Sequence, residues 1–437
     1  MHKEPRQLAG FRTYIVVIVA GAIAGLVGAG FRVALTAADS FRVDAVGFLH
    51  EWPLIGWIVP VVAAAVAVAI ARYLVVLVPE AAGSGVQRIE AQVRQQVDPD
   101  RLRVVPAKFV GGVLAIGSGM ALGREGPTVQ MSSAIGAKLA HESKVSRDDE
   151  LSVQAALAGA GLAVAFNAPL GGVIFVIEEL TKSIRMKVIA LTLLATATAV
   201  GVMRLLLGSN PDFVVPEVPG SAMLEMPMFI IFGLMIGFLG ALYSRTIVFF
   251  LDLFEKFTQI PLLVRAGMVG AAVGLLGWFL PNVVGGGDNL TQQTLTGSAP
   301  LLVVAGIVLI RWFLGPVSYS VSTPGGLFAP LMLLGAALGA LFGGLAMLLS
   351  ADLFGHPVTY ALVGMAALFG AVVRAPITGI VLVAEMTAVS NQFIPLLLAT
   401  AASVIAATLV RSEPIYDTLR DRMHLRARPA PETREAT

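Results

Sequence analysis

The sequence predicts an all-α, polytopic membrane protein built from two halves of opposite topology, each with interrupted helices. Three observations carry this: the chain is very apolar, its apolar stretches are of membrane-spanning length, and its helix-breaking motifs recur about 200 residues apart. Of 437 residues, 57% are hydrophobic and 13% charged, against roughly 25% charged in soluble domains. The mean hydropathy is +0.83.

Apolar stretches cover 13–37, 54–78, 104–122, 151–179, 188–208, 226–250, 263–281, 299–315, 325–349, 358–384 and 393–410. Most reach the ~20 residues that a helix needs to cross the hydrocarbon core. The first is too long for a signal-peptide core and is followed by no small-residue cleavage pattern, so it reads as a retained helix. The third ends in Gly123-Arg124-Glu125-Gly126-Pro127, where glycine and proline break the helix beside a carboxylate. A charge at the bilayer centre costs roughly 2.5–3.5 kcal/mol, which marks Glu125 as a functional candidate. Non-helical backbone at that depth is tolerated only when buried in protein or lining a wet cavity.

Shifting the chain by 203 places this motif over Gly326-Leu327-Phe328-Ala329-Pro330, and Gly136 over Gly339. A shift of 207 places Ala168-Pro169 through Glu178 over Ala375-Pro376 through Glu385, and a shift of 202 brings Gly83-Ser84-Gly85 onto Gly285-Gly286-Gly287. The chain therefore reads as one transmembrane domain, 1–437, with a first repeat at about 12–215, a second at about 226–425 and short cytoplasmic tails. Paired helix breaks in two halves are the sequence signature of transporters that bind substrate at the repeat interface.

Lysine and arginine in the short loops set orientation. Arg88, Arg94, Arg101, Arg103 and Lys108, then Lys182, Arg185 and Lys187, then Arg411, Arg420, Arg422, Arg426, Arg428 and Arg434 mark the cytoplasmic side, as do Lys3, Arg6 and Arg12. The segments 209–225, 281–298 and 351–357 lack lysine and arginine and carry Asp212, Glu217, Asp288 and Asp352, so they face outward. Both termini are then cytoplasmic.

Each glycine-rich break followed by an apolar helix offers free N–H groups and a positive dipole end, an anion site that needs no basic side chain. A small halide-like anion fits better than a cation or a sugar. Other classes are disfavoured. The chain has no cysteine, and His2, His50, His141, His356 and His424 show no ligand spacing, so neither a metal nor another cofactor is expected. A net charge of +2 gives no reason to expect nucleic acid. No nucleophile and base pair within the apolar stretches, so an enzyme is not expected.

With these motifs in order, the chain resembles the CLC family of chloride channels and chloride/proton antiporters. The resemblance rests on Gly83-Ser84-Gly85, Gly123-Arg124-Glu125-Gly126-Pro127, Gly326-Leu327-Phe328-Ala329-Pro330, the run from Phe166-Asn167-Ala168-Pro169-Leu170 to Glu178-Glu179, Lys108, and Pro414-Ile415-Tyr416. It implies anion binding by the hydroxyls of Ser84 and Tyr416 and by backbone N–H groups at Leu327 and Phe328, with those near Gly126 lining a more external position. It also implies that Glu125 is a gating glutamate, whose ionised side chain takes an anion position and whose protonated form swings away, and that Glu179 is an inner proton-transfer glutamate. The alternative readings are that Tyr416 is an interfacial tyrosine, which its position alone favours, that Phe328 is core, and that Glu125 is a buried acid paired with Arg124 or Lys108. Glu178 and Glu385, aligned by the repeat, read as structural and as bonding backbone at helix ends, while Glu179 falls opposite Met386.

One stretch departs from the family pattern: isoleucine, proline and glutamate commonly follow the first motif, and here Val86-Gln87-Arg88 stands instead. The chain ends 21 residues after Tyr416, which leaves no room for the cytoplasmic CBS domain pair of many eukaryotic members and points to a bacterial plasma (inner) membrane. The resemblance implies a homodimer in the lipid bilayer that exchanges chloride for protons; the alternative is a passive voltage- or pH-gated chloride channel of the same fold.

Overall fold

The computed structural model describes residues 6–217, 220–297, 299–349 and 356–423. Asp352 and the tail cations Lys3, Arg426, Arg428 and Arg434, used above for orientation, lie outside the described residues. Within them the chain is helical and carries two series of eight helices. The first comprises α1 (Arg6–Leu49), α2 (Ile58–Leu77), α3 (Val86–Val93), α4 (Val104–Gly117), α5 (Glu125–Glu142), α6 (Arg147–Phe166), α7 (Pro169–Phe175) and α8 (Met186–Leu207). The second comprises α9 (Met226–Lys256), α10 (Leu262–Phe279), α11 (Asp288–Leu295), α12 (Leu301–Ser320), α13 (Phe328–Leu349), α14 (Pro357–Val373), α15 (Pro376–Thr387) and α16 (Phe393–Leu409), and α17 (Ile415–Arg422) follows.

The short helices show why the halves correspond. Both α3 and α11 have eight residues and start after a left-handed glycine, Gly85 at φ 89° and Gly287 at φ 103°. Gly83 and Gly285, two residues earlier, also have positive φ, a conformation that glycine adopts without steric cost. The weak glycine match at a shift of 202 is thus a shared backbone path.

Two expected stretches are each a helix pair. The 151–179 stretch divides at Asn167 and the 358–384 stretch at Arg374, left-handed residues at φ 51° and 70°. Each is followed by Ala-Pro, and the residue before a proline is held out of the helical region. The 104–122 stretch stops as a helix at Gly117, and helix resumes at Glu125. Conversely, α1 runs to 44 residues and α9 to 31. At 1.5 Å per residue α1 is about 66 Å long, so it crosses a ~30 Å hydrocarbon layer only obliquely or overshoots it.

Among the described residues, seven helices are long and apolar enough to cross a membrane. The innermost are α6 and α14, buried from Ser152 to Phe166 and from Val358 to Val373, and a helix buried on all faces is apolar or small all round. Small residues allow close approach: a Cβ on Gly335 of α13 would strike the Gly364 carbonyl of α14, and one on Gly161 of α6 would strike Thr128 of α5. On the periphery, Val59, Val62, Val66, Ile70 and Tyr73 of α2 are exposed at helical spacing, as expected of a lipid-facing stripe.

Candidate functional site

The breaks before α5 and α13 meet at the centre. Gly123 and Gly326 form an isolated antiparallel bridge, Gly123 N–H donating to Gly326 O (2.9 Å) and Gly326 N–H to Gly123 O (2.7 Å). These are equivalent positions at the 203 shift, and equivalent positions that touch lie on the axis relating two halves. Glu125 and Phe328 are the next such pair. Each is the first residue of its helix, and Phe328 N–H donates to Glu125 Oε1 at 2.6 Å. An acid from the first half thus occupies the N-terminus of a helix in the second, where N–H groups and the dipole favour negative charge. The carboxylate lies folded over both bridge glycines, and a Cβ on either would collide with it. Glu125 is fully buried, and its Oε2 has no hydrogen-bond partner within the protein.

Ser84 closes on the same place from the other side. A Cβ on Gly126 would lie 2.7 Å from both the carbonyl and hydroxyl oxygens of Ser84. The loop is held by buried Lys108, whose Nζ donates to Gly83 O (2.6 Å) and Ser84 O (3.2 Å), and by Tyr319, whose hydroxyl accepts from Ser84 N–H (3.4 Å). Tyr416, in the first turn of α17, is buried beside Ser84, with its ring edge-on to Phe328 at 5.6 Å. Phe328 also packs on Phe369 (4.6 Å), Phe175 (5.9 Å) and Phe166 (6.5 Å). It therefore serves packing and backbone donation together, and Leu327 beside it is fully buried. Ser84 Oγ, Tyr416 OH and Glu125 Oε2 are all buried without a partner, although buried polar atoms are as a rule hydrogen-bonded.

Neither Arg124 nor Lys108 pairs with Glu125. Arg124 points outward to Asp212 (2.9 Å), Asp288 (2.8 Å) and the Ala165 carbonyl (2.8 Å), and Arg32 completes the network at Asp212 (2.7 Å). A cavity of about 220 Å³ opens here, lined by Asp39, Arg42, Arg124, Asp288 and Gly286, and reaches Gly123, one of the two glycines against which the Glu125 carboxylate is folded. The two loops read as external, carrying Asp212 and Asp288, are thus brought together at one mouth.

At the opposite end α7 runs into a π-helical turn, Val176–Leu180, a distortion frequent at functional sites. Glu178 and Glu385 cross-cap the paired helices α7 and α15. Glu178 accepts from Ile377 N–H (3.1 Å), Thr378 N–H (2.7 Å) and Thr378 Oγ1 (2.8 Å), and Glu385 accepts from Leu170 N–H (3.1 Å) and Gly171 N–H (2.7 Å). The pattern is reciprocal, as twofold-related contacts are. Their structural reading holds. Glu179 instead turns inward, is 2% exposed, and leaves Oε1 without a partner.

Residues 63–408 match the family described as voltage gated chloride channel. The chain belongs to this CLC family. The H(+)/Cl(-) exchange transporter ClcA of Vibrio cholerae is 36% identical over 421 residues, covering 94% of this chain and 89% of its own. That of Vibrio parahaemolyticus is 35% identical over 417 residues, with the same coverage. A solved structure of a slow cyanobacterial Cl-/H+ antiporter superposes with a TM-score of 0.89 at 30% identity, covering 94% of this chain and 98% of that one.

Sequence reasoning did not find everything that the CLC fold assembles here. Gln87, at the family departure, is buried in the first turn of α3 and lies beside Tyr319 over Gly83, so it reaches the residue that holds Ser84. Beneath Glu179 lies an ionic cluster: buried Glu90 accepts from Arg94 (2.6 Å), Arg420 (2.8 Å) and Lys182 (3.2 Å), and Lys182 also reaches Asp417 (3.2 Å). Burial opposes the Lys182 charge, but Glu179, Glu90 and Asp417 outweigh it and hold the ammonium above the ordinary lysine range. The i,i+4 spacing of Glu90 and Arg94 was a signal available in the sequence, whereas the meeting of Glu90 with Arg420 was not.

Proposed function

We propose that this chain is a secondary active transporter exchanging chloride for protons, with Glu125 as the gating group. The observation that carries the reading is the 2.6 Å bond from Phe328 N–H to Glu125 Oε1. An ionised carboxylate there stands where a chloride ion would be held, at a helix N-terminus. Carboxylate and chloride compete for one position. Protonation removes the charge that holds Glu125 at the Phe328 amide, the side chain leaves, and an anion takes its place, so one group both admits chloride and carries a proton.

Chloride passing inward from Gly126 is received by the N–H groups at Leu327 and Phe328 and by the hydroxyls of Ser84 and Tyr416. The unpartnered Ser84 and Tyr416 oxygens support that assignment. Glu179 passes protons between the cytoplasm and Glu125. Its burial, its unpartnered oxygen and the π turn support this, as do the relatives named as H(+)/Cl(-) exchange transporters. The protein works as a homodimer in a bacterial inner membrane with both termini cytoplasmic; the cations at Arg94, Arg101, Arg103, Lys182, Arg185 and Lys187 support that orientation.

The test is proton uptake by chloride-loaded proteoliposomes placed in low-chloride medium at equal pH. Chloride leaving makes the interior positive, which opposes proton entrance, so any uptake is uphill and coupled. Wild type takes up protons. Glu179→Ala stops the protons and spares chloride efflux, whereas wild type that releases chloride with no proton uptake is a channel of the same fold.

A further inference from the structure

We infer that Lys182 is a positioning residue that sets the proton exchange of Glu179 with the cytoplasm. The inference rests on the proton-transfer reading of Glu179.

Glu90, fully buried, is served by three cations, Arg94 of α3, Arg420 of α17 and Lys182 of the loop beyond the π turn. One charge needs no more than one or two. Arg420 also pairs with Asp417 (2.7 Å) and Asp421 (3.6 Å), so Asp417 and Glu90 both keep a cation if Lys182 is removed. Lys182 is therefore expendable for the ionic balance of the cluster, and its side chain is about a third exposed, against 12% for Arg420.

The position of Lys182 relative to Glu179 is what sets it apart. It follows the π turn by two residues, in the left-handed region at φ 46°. Among the charges acting on Glu179 are Lys182, Glu90, Asp417 and Glu178, and the Tyr416 hydroxyl is near enough to feel the Glu179 charge. Lys182 is the cation of that set. Arg94 and Arg420 reach Glu90 from α3 and α17, whereas Lys182 comes from the segment that carries Glu179. Without Lys182, one positive charge leaves the surroundings that Glu179 shares with Glu90 and Asp417, so its anionic form is less favoured and the proton is released only at higher pH. Bridging Glu90 and Asp417, Lys182 also spans the cytoplasmic approach to Glu179, between α3 and the helix that carries Tyr416.

The experiment compares wild type, Lys182→Met, Lys182→Arg, Arg94→Met and Glu179→Ala in chloride-driven proton uptake over about pH 5 to 9, set equal on both sides, with chloride affinity measured in parallel. Glu125 is common to all. Lys182→Met should move the midpoint of proton uptake to higher pH by about one unit and leave chloride affinity unchanged, since Phe328 holds the Tyr416 ring and Asp417 keeps Arg420. Lys182→Arg should restore the wild-type profile, and Arg94→Met should not move it. A Lys182→Met profile that superposes on wild type, while Glu179→Ala is uncoupled, overturns the role of Lys182 and leaves that of Glu179 standing. An equal shift in Arg94→Met overturns it too, by tracing the effect to Glu90. Coupled uptake persisting in Glu179→Ala overturns both readings.

Discussion

Replacing Glu125 by glutamine keeps the shape of the side chain and removes only its charge. In the structure the Glu125 carboxylate accepts a 2.6 Å bond from the Phe328 amide at the start of α13. Hydrogen bonds to charged groups contribute about 1.5–3 kcal/mol and neutral ones about 0.5–1.5, so glutamine should hold that position less tightly by about 1–1.5 kcal/mol. At 1.4 kcal/mol per factor of ten, chloride, which in the proposed exchange competes for the same amide, should bind about five- to tenfold more tightly. The sign with pH follows from the same competition. In wild type, acid neutralises Glu125, frees the position and raises chloride flux; in Glu125→Gln there is no charge to neutralise, so flux stays high and flat. Calorimetric titration of the purified protein with chloride and chloride efflux over about pH 4.5 to 8 read the two effects. Unchanged affinity together with a retained acid activation would refute competition at the Phe328 amide.

Other expectations follow from particular contacts. Ser84→Pro removes a hydroxyl of the proposed anion site and should shift preference from chloride toward nitrate in competition flux assays; unchanged selectivity would take Ser84 out of the site. Glu178→Ala and Glu385→Ala each uncap a helix across the repeat interface, and each should cost about 1–2 kcal/mol, read as earlier loss of monodisperse protein on heating, with the double variant less than additive because the two caps share one contact. Gly364→Val places side-chain atoms against the Gly335 carbonyl and should abolish the folded protein on size-exclusion chromatography, whereas Gly201→Ala, at a glycine with open space around it, should be neutral.

Much of the fold was legible because glycine and proline mark where a helix must stop. The Gly-x-x-x-Pro pair and the Ala-Pro pair fall at real breaks, and the same shifts that align them name the residues that touch. The chain's own amides could be anticipated as an anion site, since a helix start after a glycine-rich break offers them whatever the packing. What stayed hidden is long-range. That Glu125 bonds Phe328 rather than Arg124 or Lys108 depends on how the halves dock, and Arg124 is drawn away by Asp212 and Asp288, 88 and 164 residues distant. Hydropathy alone runs 151–179 and 358–384 on as single stretches, because a left-handed Asn167 or Arg374 interrupts it so little, and only the Ala-Pro pair marks each break. Lys182 read only as a cytoplasmic loop cation; its neighbours Glu90 and Asp417 come from helices far apart in the chain.

The coupling of chloride to protons is tested most directly by recording both fluxes from one population of proteoliposomes, with chloride efflux as the only driving force. Exchange through Glu125 and Glu179 requires proton uptake against the interior-positive potential, in a ratio to chloride that stays fixed as the gradient is varied, and loss of that uptake in Glu125→Gln. Chloride efflux with no proton uptake, or a ratio that drifts with the gradient, would contradict it.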